Sequence, residues 1–408
     1  MKPINLSLIG YVLIIVGVII FGTVLYKNNS HKNVPLVFSA KSMLSSVWQK
    51  YKADNLEANT FRTFDKERDS ITTSEGESYT MLRSVWLDDH ATFDASWKWT
   101  EDNLKFKNGN LYSWLFGKNP NGSYGIITSQ GGQNSASDAD TDIAMSLLFA
   151  YARWKDPSYL ESAKLTINQI WTDEVITIKG KPYLAANNIE KNFNDDVIVN
   201  PSYFSPAAYR MFASIDNSHN WNGLVDTSYD ILARSAAAPL DKTSSANIPP
   251  NWIGIDRNTG EIKPVHNTSL TTDYSYDALR TPWRISLDWM WNKEPRAQAF
   301  LSSQTFFRDE WNRHEMLYSE YAHDGTGKVT TESPAMYGGV IGAFMAIDPV
   351  LAKTVYENKL QSLYNPDAEN WRTPLSYYDD NWAWFGIALY NDELPNLWAT
   401  ATSTAYRY

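Results

Sequence analysis

The sequence predicts an all-α protein, most economically an (α/α)6 barrel of six helical hairpins. Three observations carry that expectation. Apolar residues recur at helical spacing in twelve segments. The connectors between those segments alternate short and long, and short links make antiparallel neighbours. The even-numbered segments are also the more apolar set: 142–154, 333–347 and 381–390 carry few charges. Helices apolar all round are buried, which suits an inner ring of six helices inside an outer ring of six. A superhelical repeat solenoid is the competing architecture, but the chain has no shared repeat sequence to support it.

The first segment covers about 40–52, with Met43, Leu44, Val47, Trp48 and Tyr51 on one face. The others follow near 76–88, 91–105, 139–155, 157–172, 202–214, 221–237, 273–291, 295–312, 333–347, 349–364 and 379–391. Short connectors fall at Asp88-Asp89-His90, Lys155-Asp156-Pro157, Lys293-Glu294-Pro295 and Ile347-Asp348-Pro349. The long ones are rich in Gly, Asn, Ser, Thr and Pro, and they run into the even-numbered helices. In a ring of hairpins those junctions all open on one face.

One further segment precedes the barrel. Residues 6–26 form a 21-residue run without a charge, long enough to cross a bilayer as a helix. Lys2 precedes it and Lys27 and Lys32 follow, so charge does not set its orientation. The expectation is an uncleaved signal-anchor with stalk over 1–33 and a catalytic domain over 34–408. That places the domain on the outside of the cell membrane, or in secreted form if the segment is cleaved.

Composition removes several function classes. Cysteine is absent, which excludes a disulfide framework, a thiol nucleophile and a thiolate metal site. The six histidines are scattered without metal-ligand spacing, so neither a metal nor another cofactor is expected. A formal charge of -10 argues against nucleic acid, whose binding depends on basic patches. The 17 Trp and 24 Tyr suit stacking on the apolar faces of sugars, although a large helical core uses the same residues as filler.

Four junctions on the long-connector face concentrate the chemistry. They are Ser74-Glu75-Gly76-Glu77, Ser137-Asp138-Ala139-Asp140-Thr141-Asp142, Asn200-Pro201-Ser202-Tyr203-Phe204, and Tyr276-Asp277-Ala278-Leu279-Arg280. The plainer reading of each is capping: Ser74 with Glu77 and Ser137 with Asp140 have capping-box spacing, and acids favour the first helical turn. Glu77, Asp140 and Asp142 are accordingly expected in capping and helix-rim duties. Glu75 and Asp138 are not needed to close either box. Carboxylates recurring on one rim, in an aromatic-rich chain, point to glycoside hydrolysis. That reaction needs one carboxylic acid to protonate the leaving oxygen and one carboxylate to activate water or attack carbon.

At these residues the chain resembles glycoside hydrolase family 8. The block Ala136–Ala150 followed by Trp154 is similar to the family signature, and Ser74-Glu75-Gly76 with Tyr79 and Met81 resembles its acid motif. Asn200–Phe204, Tyr276-Asp277-Ala278 with Arg280, and Tyr377-Tyr378-Asp379 match further blocks in order, over roughly residues 40–395. The resemblance implies an (α/α)6 barrel and inversion at the anomeric carbon. It implies Glu75 as general acid and Asp277 as general base, with Tyr203 and Arg280 positioning the water or the base. Asp138 would bind the sugar at the cleavage subsite and tune Glu75. Ser78 and Thr80 stand where the family motif has glycines, which is expected to narrow the cleft floor or alter a subsite.

Candidate sugar-stacking residues are Trp114, Tyr124, Trp283, Tyr377 and Tyr378, each as readily explained by core packing. The leading expectation is an inverting endo-acting hydrolase of a β-1,4-linked glucan outside the membrane. Xylan or chitosan is the alternative substrate, and a catalytically silent polysaccharide-binding protein the alternative function. Polysaccharide synthesis and export machinery is the partner that a biosynthetic role would imply.

Overall fold

The computed structural model describes residues 39–193, 196–265 and 269–399. The uncharged run 6–26 and the whole of 1–33 lie outside the described residues. Among the described residues no helix is long and apolar enough to cross a membrane.

The helices are α1 Ala40–Asn55, α2 Ser74–Trp86, α3 His90–Asn103, α4 Ser137–Trp154, α5 Pro157–Glu174, α6 Pro206–Ala213 and α7 Trp221–Ala237. They continue with α8 Arg280–Asn292, α9 Pro295–Ser303, α10 Thr305–His314, α11 Pro334–Ile347, α12 Pro349–Val355 and α13 Tyr377–Tyr390. Six of them, α2, α4, α6, α8, α11 and α13, pack side by side in that order. The ring is closed between α13 and α2, where the Tyr79 ring meets Trp382 edge-on at 5.8 Å and Arg83 bonds Asp380. The remaining helices lie against this ring, each packed on an inner helix next to it in sequence, with α1 on α13. The arrangement is consistent with an (α/α)6 barrel.

The inner helices are buried because they are apolar all round, as in α11, where every residue from Ala335 to Phe344 is buried. Aromatic rings fill the centre: Trp283 lies 5.6 Å from Trp382, 5.1 Å from Phe385 and 6.4 Å from Trp86. The closest approach is between α11 and α13. A Cβ on Gly338 would stand 1.9 Å from the Trp382 carbonyl oxygen, and one on Gly386 would stand 2.3 Å from the Gly338 Cα. Glycine is required there because the two backbones touch.

Several expected boundaries are corrected. The ninth segment breaks at Gln304 into α9 and α10, and the eleventh helix ends at Val355 in a π-helical turn, Tyr356–Leu360. The sixth begins only at Pro206, after a 3-10 turn, Pro201–Tyr203. The eighth starts at Arg280 rather than near 273. Side chains and cross-chain bridges claim the backbone of 273–279: Asn251 Oδ1 accepts from the N–H groups of Ser275 and Ala278, and Tyr274 pairs with Tyr321. Asp277 therefore sits in the turn before α8, not inside a helix.

The all-α expectation also omitted ten short strands. They are β1 Thr72–Thr73, β2 Leu115–Lys118, β3 Tyr124–Ile126, β4 Val175–Ile178, β5 Lys181–Leu184, β6 Val197–Val199, β7 Ile253–Ile255, β8 Ile262–Lys263, β9 Tyr364–Asn365 and β10 Asn370–Trp371. All lie in the long connectors, and all pair antiparallel, as in β1-β2-β3 with Thr73 opposite Leu115 and Phe116 opposite Ile126. Each is too short to show alternation in the sequence.

Candidate active site

The inner helices begin at the long connectors, and the N-terminal ends of α2, α4, α8 and α13 line an open groove of about 630 Å³. Glu75, Trp114, Asp138, Tyr203, Asp277, Arg280 and Tyr378 all line it.

Glu75 and Asp138 occupy matching places, each the second residue of its helix. Thr73 rather than Ser74 caps α2, its hydroxyl accepting from the Gly76 N–H at 3.0 Å. No side chain caps α4. Instead Ser137 binds the neighbouring connector, its N–H reaching the Ala186 carbonyl at 3.1 Å and its hydroxyl the Ala185 carbonyl at 2.7 Å. Tyr203 ends the Pro201–Tyr203 turn, which Asn200 holds by accepting from the Ser202 N–H and hydroxyl at 3.0 and 2.7 Å.

Arg280 organises the groove. Its Nη1 donates to Glu75 Oε2 and, at 3.1 Å, to Asp138 Oδ2, while its Nη2 donates to Asp277 Oδ1 at 2.7 Å. The Tyr203 ring lies 5.2 Å from the guanidinium carbon. Asp138 is only 2% exposed and its Oδ1 has no protein partner. Glu75 and Asp277 keep 21% and 33% of their side chains open to the groove. Burial holds the Glu75 carboxyl above its usual pKa against the pull of Arg280, and the charges of Asp138 and Asp277 push the same way as burial. That is the direction a proton donor needs.

One turn deeper the pattern repeats. Asp142 and Arg284 stand four residues beyond Asp138 and Arg280, and they pair bidentately at 2.6 and 2.7 Å with both side chains 1% exposed. The capping expectation for Glu77, Asp140 and Asp142 is thus corrected. All three are buried: Asp142 points across the ring to Arg284, whereas Glu77 and Asp140 point outward to connectors and outer helices. Glu77 accepts from the Thr63 N–H at 2.7 Å and the Ser96 hydroxyl at 2.6 Å. Asp140 accepts from the Tyr112 N–H at 3.0 Å and faces the buried Glu174.

The remaining expectations divide. Trp114 and Tyr378 line the groove, and Tyr378 donates its hydroxyl to the Tyr276 carbonyl. Trp283 does not: it is 2% exposed, and its Nε1 donates to the Phe385 carbonyl at 3.1 Å, because α8 turns that face to the barrel centre. Tyr377 packs on Tyr51 with its hydroxyl against Gly76, and it lines a smaller adjoining pocket of about 310 Å³. Tyr124 is 58% exposed on β3, its ring 5.9 Å from the Arg62 guanidinium carbon and outside the groove. Ser78 and Thr80 do not line the groove: both are fully buried and bond the Glu75 carbonyl and Thr63 respectively.

Residues outside the expected set also bear on the site, one of them, Trp252, from behind the groove lining. Trp252 donates its indole N–H to Asp277 Oδ2 at 2.9 Å. Arg68 and Tyr276 line the groove, Arg68 paired with Asp65 at 2.7 Å. Tyr276 adjoins Asp277 and was legible as a stacking candidate; a lone Trp or Arg in a long connector carries no spacing signal.

A pH dependence of stability follows from the buried acids. Burial raises Glu77 from 4.5 to about 8, and the Asp140–Glu174 pair is shifted upward by burial as well. Above pH 4.5 the unfolded chain releases protons that folded Glu77 still holds. Its stabilising contribution is therefore complete below about pH 4.5 and lost as pH rises to about 8. Melting temperature should be higher at pH 5 than at pH 8, and Glu77→Gln should flatten that slope. An equal slope in the variant would refute the assignment to Glu77.

A helical barrel with three carboxylates gathered round one guanidinium, in a groove open at its rim, has the form of a carbohydrate-cleaving site. The sequence profile of glycosyl hydrolases family 8 matches residues 24–385, and the chain belongs to that family. Endoglucanase 2 of Ruminiclostridium josui is 29% identical over 281 residues, which cover 66% of this chain and 55% of that protein. The chain thus spans about half the length of that relative. Two solved structures share the fold. One is an endo-1,4-D-glucanase from Vibrio fischeri ES114, with a TM-score of 0.70, 23% identity and coverage of 85% of this chain and 94% of that one. The other is a β-1,3-1,4-glucanase from Paenibacillus sp. X4, with a TM-score of 0.71, 21% identity and coverage of 88% and 94%.

Proposed function

We propose that the chain is an inverting endo-β-1,4-glucanase whose groove faces the outside of the cell membrane. The observation that carries this reading is the single guanidinium of Arg280 holding Glu75, Asp138 and Asp277 together at the groove. Glu75 gives its proton to the departing glycosidic oxygen. Asp277 takes a proton from water as that water attacks the anomeric carbon on the opposite face. The two carboxyls approach different ends of the guanidinium, Nη1 and Nη2, rather than facing each other directly. Inversion requires the two carboxyls about 6.5–9.5 Å apart, with room for a water between them.

Asp138 holds the sugar in this reading. Its Oδ2 is fixed by Arg280, and its buried Oδ1 is free to accept a sugar hydroxyl. A bound hydroxyl would satisfy an acceptor that is otherwise costly to leave alone. Trp114, Tyr276 and Tyr378 offer rings along the groove. The endoglucanase names of the relatives support β-1,4-glucan as the substrate. The uncharged run 6–26 supports an external, membrane-anchored position.

The full chain in detergent should release sugars from carboxymethylcellulose and barley β-glucan faster than from xylan or chitosan. Proton NMR of the first products should show the α-anomer. A first-formed β-anomer overturns inversion, and no cleavage of either glucan overturns the function.

A further inference from the structure

We infer that Trp252 is a positioning residue for Asp277, with Asn251 locking the two segments together. The inference rests on the reading of Asp277 as the general base. Both residues come from the long connector after α7, far from every junction that the sequence pattern marks.

The grip is extensive. Asn251 Oδ1 accepts from the N–H groups of Ser275 and Ala278 at 3.2 and 2.9 Å, on either side of Asp277. Its Nδ2 donates to the Ser275 hydroxyl at 2.8 Å. The Asn251 and Trp252 N–H groups donate to the carbonyls of Asp273 and Thr271, at 2.7 and 3.1 Å. Asn251 is 5% exposed, so this contact is walled off from water. The Trp252 ring leans edge-on against Tyr203 at 5.8 Å, and Tyr203 in turn faces Arg280.

The consequence falls on the carboxylate. Asp277 Oδ1 accepts from Arg280 Nη2 and Oδ2 accepts from Trp252 Nε1, so both oxygens are held and the carboxyl plane cannot rotate. Each oxygen keeps one further lone pair for a water. The second donor is a neutral indole. It fixes direction without the added positive charge that a second cation would bring beside a base. Orientation of this kind acts on the attack itself more than on the binding of the sugar chain.

Trp252→Phe keeps the ring and removes the donor. In the full chain, kcat on barley β-glucan should fall about 10- to 100-fold, with KM within about twofold and melting temperature nearly unchanged. Trp252→His, which restores a ring N–H, should recover part of that loss. Asp277→Asn run alongside separates the two levels of the argument. If Asp277→Asn is inactive and Trp252→Phe keeps its full kcat, the positioning role is wrong while the base assignment stands. If Asp277→Asn remains active, or the wild type cleaves no β-glucan, both fall. A histidine variant no better than phenylalanine also overturns the role. Should the phenylalanine variant fail to fold, the histidine variant decides alone: a lowered kcat with KM within about twofold supports the role, and an unchanged kcat refutes it.

Discussion

Glu75→Gln lowers kcat on barley β-glucan by roughly 10²–10⁴-fold, the range that loss of a positioned proton donor produces. Glutamine preserves the size of the side chain and leaves Arg280 its bonds to Asp138 and Asp277, so the groove stays assembled. The protein should therefore melt near the wild-type temperature, and KM should move far less than kcat. A substrate whose leaving group needs little protonation separates chemistry from damage. With β-cellobiosyl fluoride the same variant should lose much less activity than with the polymer. Equal losses on both substrates, or a loss on glucan below tenfold, would remove Glu75 from the acid role.

The second large effect concerns stability. Arg83→Leu should destabilise the fold by about 3–5 kcal/mol, the cost typical of leaving one partner of a buried ion pair alone. Arg83 is fully buried on α2, and its Nη1 donates at 3.0 Å to both Asp380 Oδ1 and Asn381 Oδ1 on α13. The guanidinium carbon also lies 4.9 Å from the Trp48 ring, 4.2 Å from Tyr51 and 5.0 Å from Trp384. These contacts join the first and last inner helices, so the variant weakens the closure of the ring as well as stranding a charge. Adding Asp380→Asn removes the stranded carboxylate and should recover part of the loss, because the two positions are directly coupled. Urea unfolding of the two single variants and the double variant measures this. A single-variant change under about 1 kcal/mol would show that the pair contributes little.

The ring itself was legible because twelve apolar repeats and their alternating connectors report burial and neighbourhood directly. Glu75 and Asp138 stood out because no cap required them, and the structure places both at the groove. Glu77, Asp140 and Asp142 were misread for a physical reason. Periodicity says which residues share a helix face but not what that face packs against: a rim, an outer helix or the centre of a ring. One signal was available: Asp138 to Asp142 and Arg280 to Arg284 are both steps of four, as two opposed helix faces paired turn by turn would require. Trp283 and Trp114 looked alike in sequence, and only packing separates the core ring from the groove ring. The late start of α8 arises from contacts distant in the chain, which no local window contains.

Among the described residues every strand lies in a connector and none in the barrel wall, so the groove's border and its foundation are built from different parts of the chain. The acids and the arginine are rooted at or just before the starts of inner helices, while much of the remaining lining, including Asp65, Arg68, Trp114 and Tyr276, comes from the connectors. Exchanging or lengthening one connector would remodel which polymer fits, leaving the proton-transfer groups where they stand. A scaffold divided in this way invites diversification by loop grafting, with the chemistry held constant as the substrate changes.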